Sequence, residues 1–353
     1  MTSDPVDESV LQIRRSADDL YKETLRRKLA PRAMKDASKE YLQDVQSYME
    51  EAHPSDITHP VLRRAERSGL SVGRGVSYVA KQVEESEARK LGVLRPAWKL
   101  DNKNSAYAFL DSLGVRRPHS DARTHRFENI QRQSPCVIKA TRSTGSRGCY
   151  LVFSENVIRY VRDGTTFDSW EAMADHAQRL MGKTNARPLP NRWMIEELIL
   201  EDTHNLVPAR DLKFYTFYGE VLFVLEVQRV DGEAAYSYLL PDGSSMQAPG
   251  SWERVYYEGD GATAEQVREV EAISRQIPHP FMRIDMLRSE DGLVFGEFTP
   301  RNGDFHSVNK EWDRRMGEAW IRAESRLLED MLRGKRFDTY LEATDLLKYT
   351  RKN

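Results

Sequence analysis

The sequence predicts an α+β chain with a helical N-terminal extension, and three observations carry that prediction. Residues 8–52 place apolar side chains at helical spacing (Val10, Ile13, Leu20, Leu25, Leu29) within a heavily charged background. From Pro135 the texture changes to short apolar runs divided by Gly, Asp and Ser, the pattern of hairpin strands, with helical stretches between them. From about Lys310 the helical period returns.

Each element follows in order. Ala30-Pro31 and His53-Pro54 punctuate the first helical region, and a further helix runs from about Val72 to Leu91. Asp101 could cap a helix through Tyr107, Phe109 and Leu110, stopped by Gly114. Cys136–Lys139 and Cys149–Phe153 read as strands around a Gly/Ser loop, and Trp170–Met181 as a helix. Trp193–Leu200, Leu212–Tyr218 and Val221–Val230 are strand-like, and Ala234–Leu240 follows an Asp231-Gly232 turn. A helix over Ala264–Ile277 precedes strands Phe281–Leu287 and Leu293–Thr299. Helices over about 310–332 and 337–349 close the chain. The stripe Trp320, Leu327, Leu328, Met331 and Leu332 is expected to pack in the core.

Composition narrows the function. The 353 residues suggest about two domains or one large composite. With 53 Lys+Arg against 55 Asp+Glu, the formal charge of -2 removes the simplest case for duplex nucleic acid as a partner. No run approaches the roughly 18–20 apolar residues that span a bilayer. The start MTSDPVDES lacks the apolar core of a secretory signal, so a cytoplasmic protein is expected. Cys136 and Cys149 are too few for a disulfide scaffold or a Cys-based zinc site; they read as a reduced pair that could face each other across a hairpin. Gly73-Arg-Gly75 lacks the third glycine of a dinucleotide fingerprint, and neither G-x-S-x-G nor H-E-x-x-H occurs. His204 and His306 read as polar loop residues.

The most informative segment is Arg283-Ile-Asp285 followed by Gly296-Glu297-Phe-Thr299. A three-residue tip at Glu290-Asp291-Gly292 puts Asp285 opposite Glu297 and Arg283 opposite Thr299. Met282, Ile284, Met286, Val294 and Phe298 then form the apolar face. A two- or four-residue tip would send the carboxylates to opposite faces. Like charges paired across strands repel; a shared proton, Arg283 or a divalent cation could each relieve them. Hard oxygen ligands without a His or Cys cluster favour Mg²⁺ or Mn²⁺ over zinc.

Lys139 ends an apolar strand directly before Thr141-Arg-Ser-Thr-Gly-Ser-Arg-Gly148, a loop whose backbone N–H groups suit phosphate oxygens. The loop is not a Walker A motif, and an ordinary hairpin with Lys139 reaching to water is the plainer reading. Glu196 and Glu197 end a strand where they could read an adenine edge and a ribose, or simply be exposed. Asp211-Leu-Lys213 sets opposite charges on one face, aimed at a phosphate or forming a surface ion pair.

In order, these pieces resemble the ATP-grasp superfamily. The Asp-x-Lys-Phe and Gly-Glu-Phe-Thr-Pro segments look most like the TupA-like branch, named for teichuronopeptide synthesis. The resemblance covers roughly residues 97–320 and includes a leading segment with Lys99-Leu-Asp-Asn-Lys103, Tyr107 and Leu113-Gly-Val-Arg-Arg-Pro118. It implies an ATP-grasp fold, two α+β subdomains gripping ATP. The chain would divide into a helical region (1–92), a pre-ATP-grasp segment (93–130), the ATP-grasp domain (131–335) and a C-terminal helix (336–353).

Carried over by position, the resemblance implies that Lys139 contacts the α/β-phosphates, with Thr144, Gly145, Ser146 and Gly148 closing over them. Glu196, Glu197 and Leu198 would border the purine, Glu197 being its partner or that of the ribose. Lys213 would reach the phosphates, and Asp285 and Glu297 would hold Mg²⁺. Arg283 would face the reacting acyl group. Thr299 stands where many such ligases carry a metal-ligating Asn, which leaves Asn302 as the next amide. The implied activity is ATP-dependent ligation of a small-molecule carboxylate to an amine through an acyl phosphate, on a peptide, sugar-acid or cell-surface polymer precursor. A kinase acting on a hydroxyl and a non-catalytic nucleotide-binding protein are the alternatives. The charged N-terminal helices read as a solvated cap, with a homodimer left open.

Overall fold

The computed structural model describes residues 5–35, 37–120, 123–141, 143, 145–182, 188–230, 233–250 and 254–345. The expected Asp231-Gly232 turn, Thr144 and residues 346–349 of the last expected helix lie outside this set. The chain forms two compact units: Met1–Ser86 with Lys310–Glu318, and Glu87–Asn309 with Ala319–Asn353.

In the first unit, the helical stretch expected over 8–52 is broken at Pro31, where proline removes a donor and fixes the backbone, and again before Ser38. It comprises α1 (Pro5–Lys28), α2 (Pro31–Met34) and α3 (Lys39–Glu51), followed by α4 (His59–Arg67). Ser38 caps α3, its hydroxyl accepting the Tyr41 N–H at 3.2 Å. Leu25, Leu29, Val45, Met49, Val61 and Ala65 make the core, whereas Val10, Ile13 and Leu20 of α1 are exposed. The helix expected from Val72 starts later, as α5 (Tyr78–Lys90). The start of α10 (Lys310–Leu332) completes this unit, Asp313 accepting the Val79 N–H at 2.8 Å.

The second unit opens with α6 (Pro96–Lys99) and α7 (Lys103–Leu113). Asn102, not Asp101, caps α7, accepting the Asn104 and Ser105 N–H groups at 3.0 and 3.3 Å. Asparagine one residue later meets the same need for unpaired first-turn donors. Gly114 closes α7 in the left-handed conformation (φ 69°).

A five-stranded sheet follows, built from β1 (Cys136–Ala140), β2 (Cys149–Ser154), β3 (Val157–Tyr160), β4 (Thr166–Phe167) and β5 (Trp193–Glu196) in the order β4-β3-β2-β1-β5. Helix α8 (Trp170–Met181) buries Met173 and Ala177 in the core of this sheet. Strand β5 stops at Glu196, four residues short of expectation, and β6 (Leu200–Asp202) pairs with β7 (Val207–Pro208). The cysteines do not face each other. Cys136 lies opposite Val152 and Cys149 opposite Lys139, because the strands are offset by more than the loop suggests.

The six-stranded sheet contains β8 (Asp211–Thr216), β9 (Val221–Val230), β10 (Glu233–Leu239), β11 (Val255–Tyr256), β12 (Met282–Ser289) and β13 (Gly292–Thr299), in the order β11-β10-β9-β8-β12-β13. Helix α9 (Ala264–Ser274), closed at its start by a Thr263/Gln266 capping box, buries Val267, Val270 and Ile273. After α10, the chain ends its described part with α11 (Asp338–Ala343).

The β12–β13 hairpin reaches the expected pairing by another route. Its tip has two residues rather than three, since Ser289 pairs with Gly292 and Met286 with Phe295. A bulge at Gly296 then restores Asp285 opposite Glu297 and Arg283 opposite Thr299. Phe295, not Val294, therefore shares a side with Met286; Val294 lies opposite Leu287. Glycine fits the bulge because a Cβ at position 296 would stand 3.0 Å from the Asp285 carbonyl oxygen. The α10 stripe is also only partly core. Trp320 is buried, but Leu328, Met331 and Leu332 are exposed.

Candidate functional site

Residues directly opposite in a ladder share a face. Asp285 is opposite Lys213, Arg283 opposite Tyr215 and Leu287 opposite Asp211, so β8 and β12 present one charged face, the other being the buried apolar face of Leu212, Phe214, Ile284 and Met286. Arg283 grips Asp285 with two bonds of 2.7 Å, and its Nη2 also donates to Thr299 Oγ1 at 3.0 Å. Lys213 donates to Asp285 at 2.8 Å and is also bonded to Asp211. Burial alone would raise the Asp285 pKa, but the Arg283 and Lys213 charges outweigh it and hold the carboxylate below its usual range. The same carboxylates lift Lys213 and Arg283 above theirs, against the opposing effect of burial.

Glu297 behaves differently. Its side chain is 63% exposed, and Arg283 approaches it only at 3.7 Å. The surrounding protein and then the Asp285 charge push its pKa up. It is a carboxylate that would gain from a cation. Asn302 is buried, with its amide nitrogen donating to Asp304 at 2.9 Å, and Asp304 pairs with Arg254 at 2.9 Å.

The second cluster sits on the other sheet. Lys139 on β1 pairs with Glu196 on β5; Lys103 at the start of α7 binds the other oxygen of Glu196, and Tyr107 donates to that oxygen at 3.0 Å. Glu196 is buried, and burial would raise its pKa, yet Lys139 and Lys103 together lower it. Lys103 is brought down to about 8, by burial first and then by Lys139. Glu197 faces another way, bonded by Arg116 at 3.2 Å and by the His119 N–H at 3.0 Å.

A cleft of about 750 Å³, within the usual size of small-molecule sites, is lined by Lys139, Ser146, Glu196, Glu197 and Leu198 on one side and by Asp211, Arg229 and Leu287 on the other. In the loop above it, Gly145, Ser146 and Gly148 all have positive φ. A Cβ on Gly148 would come within 2.7 Å of Leu189. The Arg229 guanidinium reaches Ser146 Oγ at 3.5 Å. Lys213, Arg283, Asp285, Glu297 and Asn302 lie beyond this cleft, joined to it through Asp211. The site is thus polarised. Two lysines against one carboxylate make one end positive, and three carboxylates against two cations make the other negative.

Sequence reasoning missed Lys103 and Tyr107 as partners of Glu196, although both stood in the leading segment. It also missed the bonds that tie Arg210 to Glu201 (2.8 and 3.0 Å) and Glu226 (2.7 Å) at the cleft wall. The available signal was Glu226 itself, a lone acid in an apolar strand, which demands a partner when buried.

Two largely antiparallel sheets meeting at a cleft, lysines on one and a carboxylate hairpin on the other, place the chain in the ATP-grasp class. Residues 84–321 match the TupA-like ATP-grasp family, and the chain belongs to it. No curated protein matches the chain. It is similar to the solved structure of D-alanine–D-alanine ligase from Bacillus anthracis complexed with ATP, at 9% identity over 70% of this chain and 75% of that one, with a TM-score of 0.40. It is also similar to the ATP-grasp ligase PsnB complexed with a minimal precursor, at 14% identity over 83% and 77% of the two chains, TM-score 0.36. A third likeness is to L-amino acid ligase from Bacillus licheniformis, at 13% identity over 63% of this chain and 46% of that one, TM-score 0.36.

Proposed function

We propose that the protein is an ATP-dependent carboxylate–amine ligase. A substrate carboxylate oxygen attacks the γ-phosphorus of ATP, forming an acyl phosphate as the bond to ADP breaks. An amine then attacks the acyl carbon, phosphate leaves, and the amine proton is lost as the amide forms. The observation that carries this reading is the charged face of β8, β12 and β13, where Lys213, Arg283 and Asp285 interlock beside an exposed Glu297. Family membership supports the use of ATP.

In this reading Lys139 and Lys103 hold the inner phosphates at the positive end, and the Gly145–Gly148 loop covers them with backbone donors. Glu197 and Leu198 border the purine. Lys213 steadies the terminal phosphate, while Arg283, fixed by Asp285 and Thr299, orients the reacting carboxylate. The donor chemistry fits magnesium. Glu297 offers an exposed hard oxygen and Asp285, bonded here to Arg283 and Lys213, a second, and Mg²⁺ commonly takes one or two carboxylates together with substrate phosphates. Glu297, Asp285 and the Asn302 carbonyl would hold the ion, which supplies charge neutralisation as the phosphoryl group moves.

The test uses hydroxylamine. The protein is incubated with ATP, Mg²⁺ and a panel of amino acids and sugar acids, following ADP release. An acyl phosphate yields a hydroxamate. ADP release with phosphate ester and no hydroxamate would overturn the ligase reading in favour of a kinase.

A further inference from the structure

The second half of α10 lies in the larger unit and has two apolar faces. One is inward, where Trp320 and Ala323 are buried. The other is outward, where Ile321, Leu328 and Leu332 are 39%, 57% and 79% exposed. With exposed Ser325, these residues form one stripe about 60° wide on a helix that turns 100° per residue. A surface helix ordinarily carries a single apolar stripe facing its core. Beside the outer stripe runs a ridge containing exposed Arg322 and Glu329, the latter also 3.6 Å from the exposed Arg333 guanidinium one turn on.

We propose that this outer stripe docks a second copy of the chain, helix against helix and antiparallel, about a two-fold axis passing between Ser325 and Arg326. Charge complementarity selects this occupant and this direction. Around that axis each residue stands level with the one equally distant on the far side. Arg322 therefore meets Glu329 of the second copy, and Glu329 meets Arg322 of the second copy. Ile321 falls between Leu328 and Leu332 of the second copy, while Leu328 falls between its Ile321 and Ser325. The small Ser325 side chain lies at the crossing point, where helix axes approach most closely. Parallel packing about a two-fold along the helices would instead carry the two ridges to opposite flanks, where Arg322 and Glu329 would not meet. An isologous contact needs one self-complementary patch, and this ridge is one.

The stripe is about 17 Å long at 1.5 Å per residue, so the contact belongs to the small, weak class of interfaces. A dissociation constant on the order of 10–100 μM is expected. The experiment is sedimentation velocity on the full chain from about 1 to 500 μM, a range chosen to bracket that constant. Wild type should pass from monomer to dimer. Leu328→Asp should remain monomeric, with unchanged circular dichroism. Arg322→Glu should weaken the dimer at least about tenfold, and Arg322→Glu combined with Glu329→Arg should restore it, because the pair is reversed rather than broken. A monomer at every concentration overturns the proposal. A dimer indifferent to Leu328→Asp, or one not rescued by the double change, overturns it too.

Discussion

Glu297 and Asp285 stand opposite each other yet are held very differently, and their substitutions should separate accordingly. Asp285 is locked by Arg283 and Lys213, so its removal strands two buried cations. Glu297 has one long contact. Glu297→Ala should keep stability within about 0.5 kcal/mol of wild type while turnover falls by at least about 10³-fold. Urea unfolding read beside ADP release checks both halves, and unchanged turnover would sink the metal assignment. Lys103 offers a second handle. Unfolded, it titrates near 10.5; folded, it titrates at about 8. Between these values the unfolded chain binds the extra proton, so this residue's effect on stability improves as pH rises through the window. Phosphate requires the charged form, so nucleotide affinity should move the other way. Calorimetric titration with a slowly hydrolysed ATP analogue should show affinity up to about tenfold weaker at pH 9 than at pH 7. Lys103→Arg should flatten the dependence; an equal slope in that variant would assign the proton elsewhere.

At the scale of elements, the β12–β13 hairpin shows what a sequence can and cannot disclose. Alternation along the two strands located Asp285, Glu297, Arg283 and Thr299 on one face, because pairing and face are local properties. The tip was not legible in the same way. A three-residue tip and a two-residue tip with a bulge leave the same number of unpaired residues, and only the packing of Phe295 against the core distinguishes them. Lys139 and Glu196 were visible from strand ends for similar reasons. Lys103 was not, because its bond to Glu196 joins a helix start to a strand far along the chain. Glycine positions test the same geometry. Gly296→Ala should cost about 1–2 kcal/mol and displace Glu297, reducing activity beyond the stability loss. Gly317→Ala reverses a general rule. Mid-helix Gly→Ala ordinarily stabilises by about 1 kcal/mol. Here the new Cβ would lie 1.5 Å from the Val76 carbonyl oxygen, and a loss of about 3 kcal/mol is expected in urea unfolding.

Across the whole molecule, every residue assigned to chemistry lies in the larger unit, and the first unit has its own core of Leu25, Leu29, Val45 and Met49. Leu25→Ala should therefore lower stability by about 2–5 kcal/mol while leaving the nucleotide dissociation constant within about twofold. A larger change in that constant would mean that the two cores are energetically coupled. Lys310–Glu318 also gives the first unit an unusual history. The segment that completes it leaves the ribosome after the whole stretch 87–309, which at 5–20 residues per second is a delay of roughly 10–50 s. The first unit is therefore completed only shortly before the larger one, which still awaits Ala319–Asn353. The catalytic portion can gather its sheets while the opening helices, whose core of Leu25 and Met49 uses none of that segment, still lack their last strut; through that interval the Val79 N–H that Asp313 will bind stays open to water.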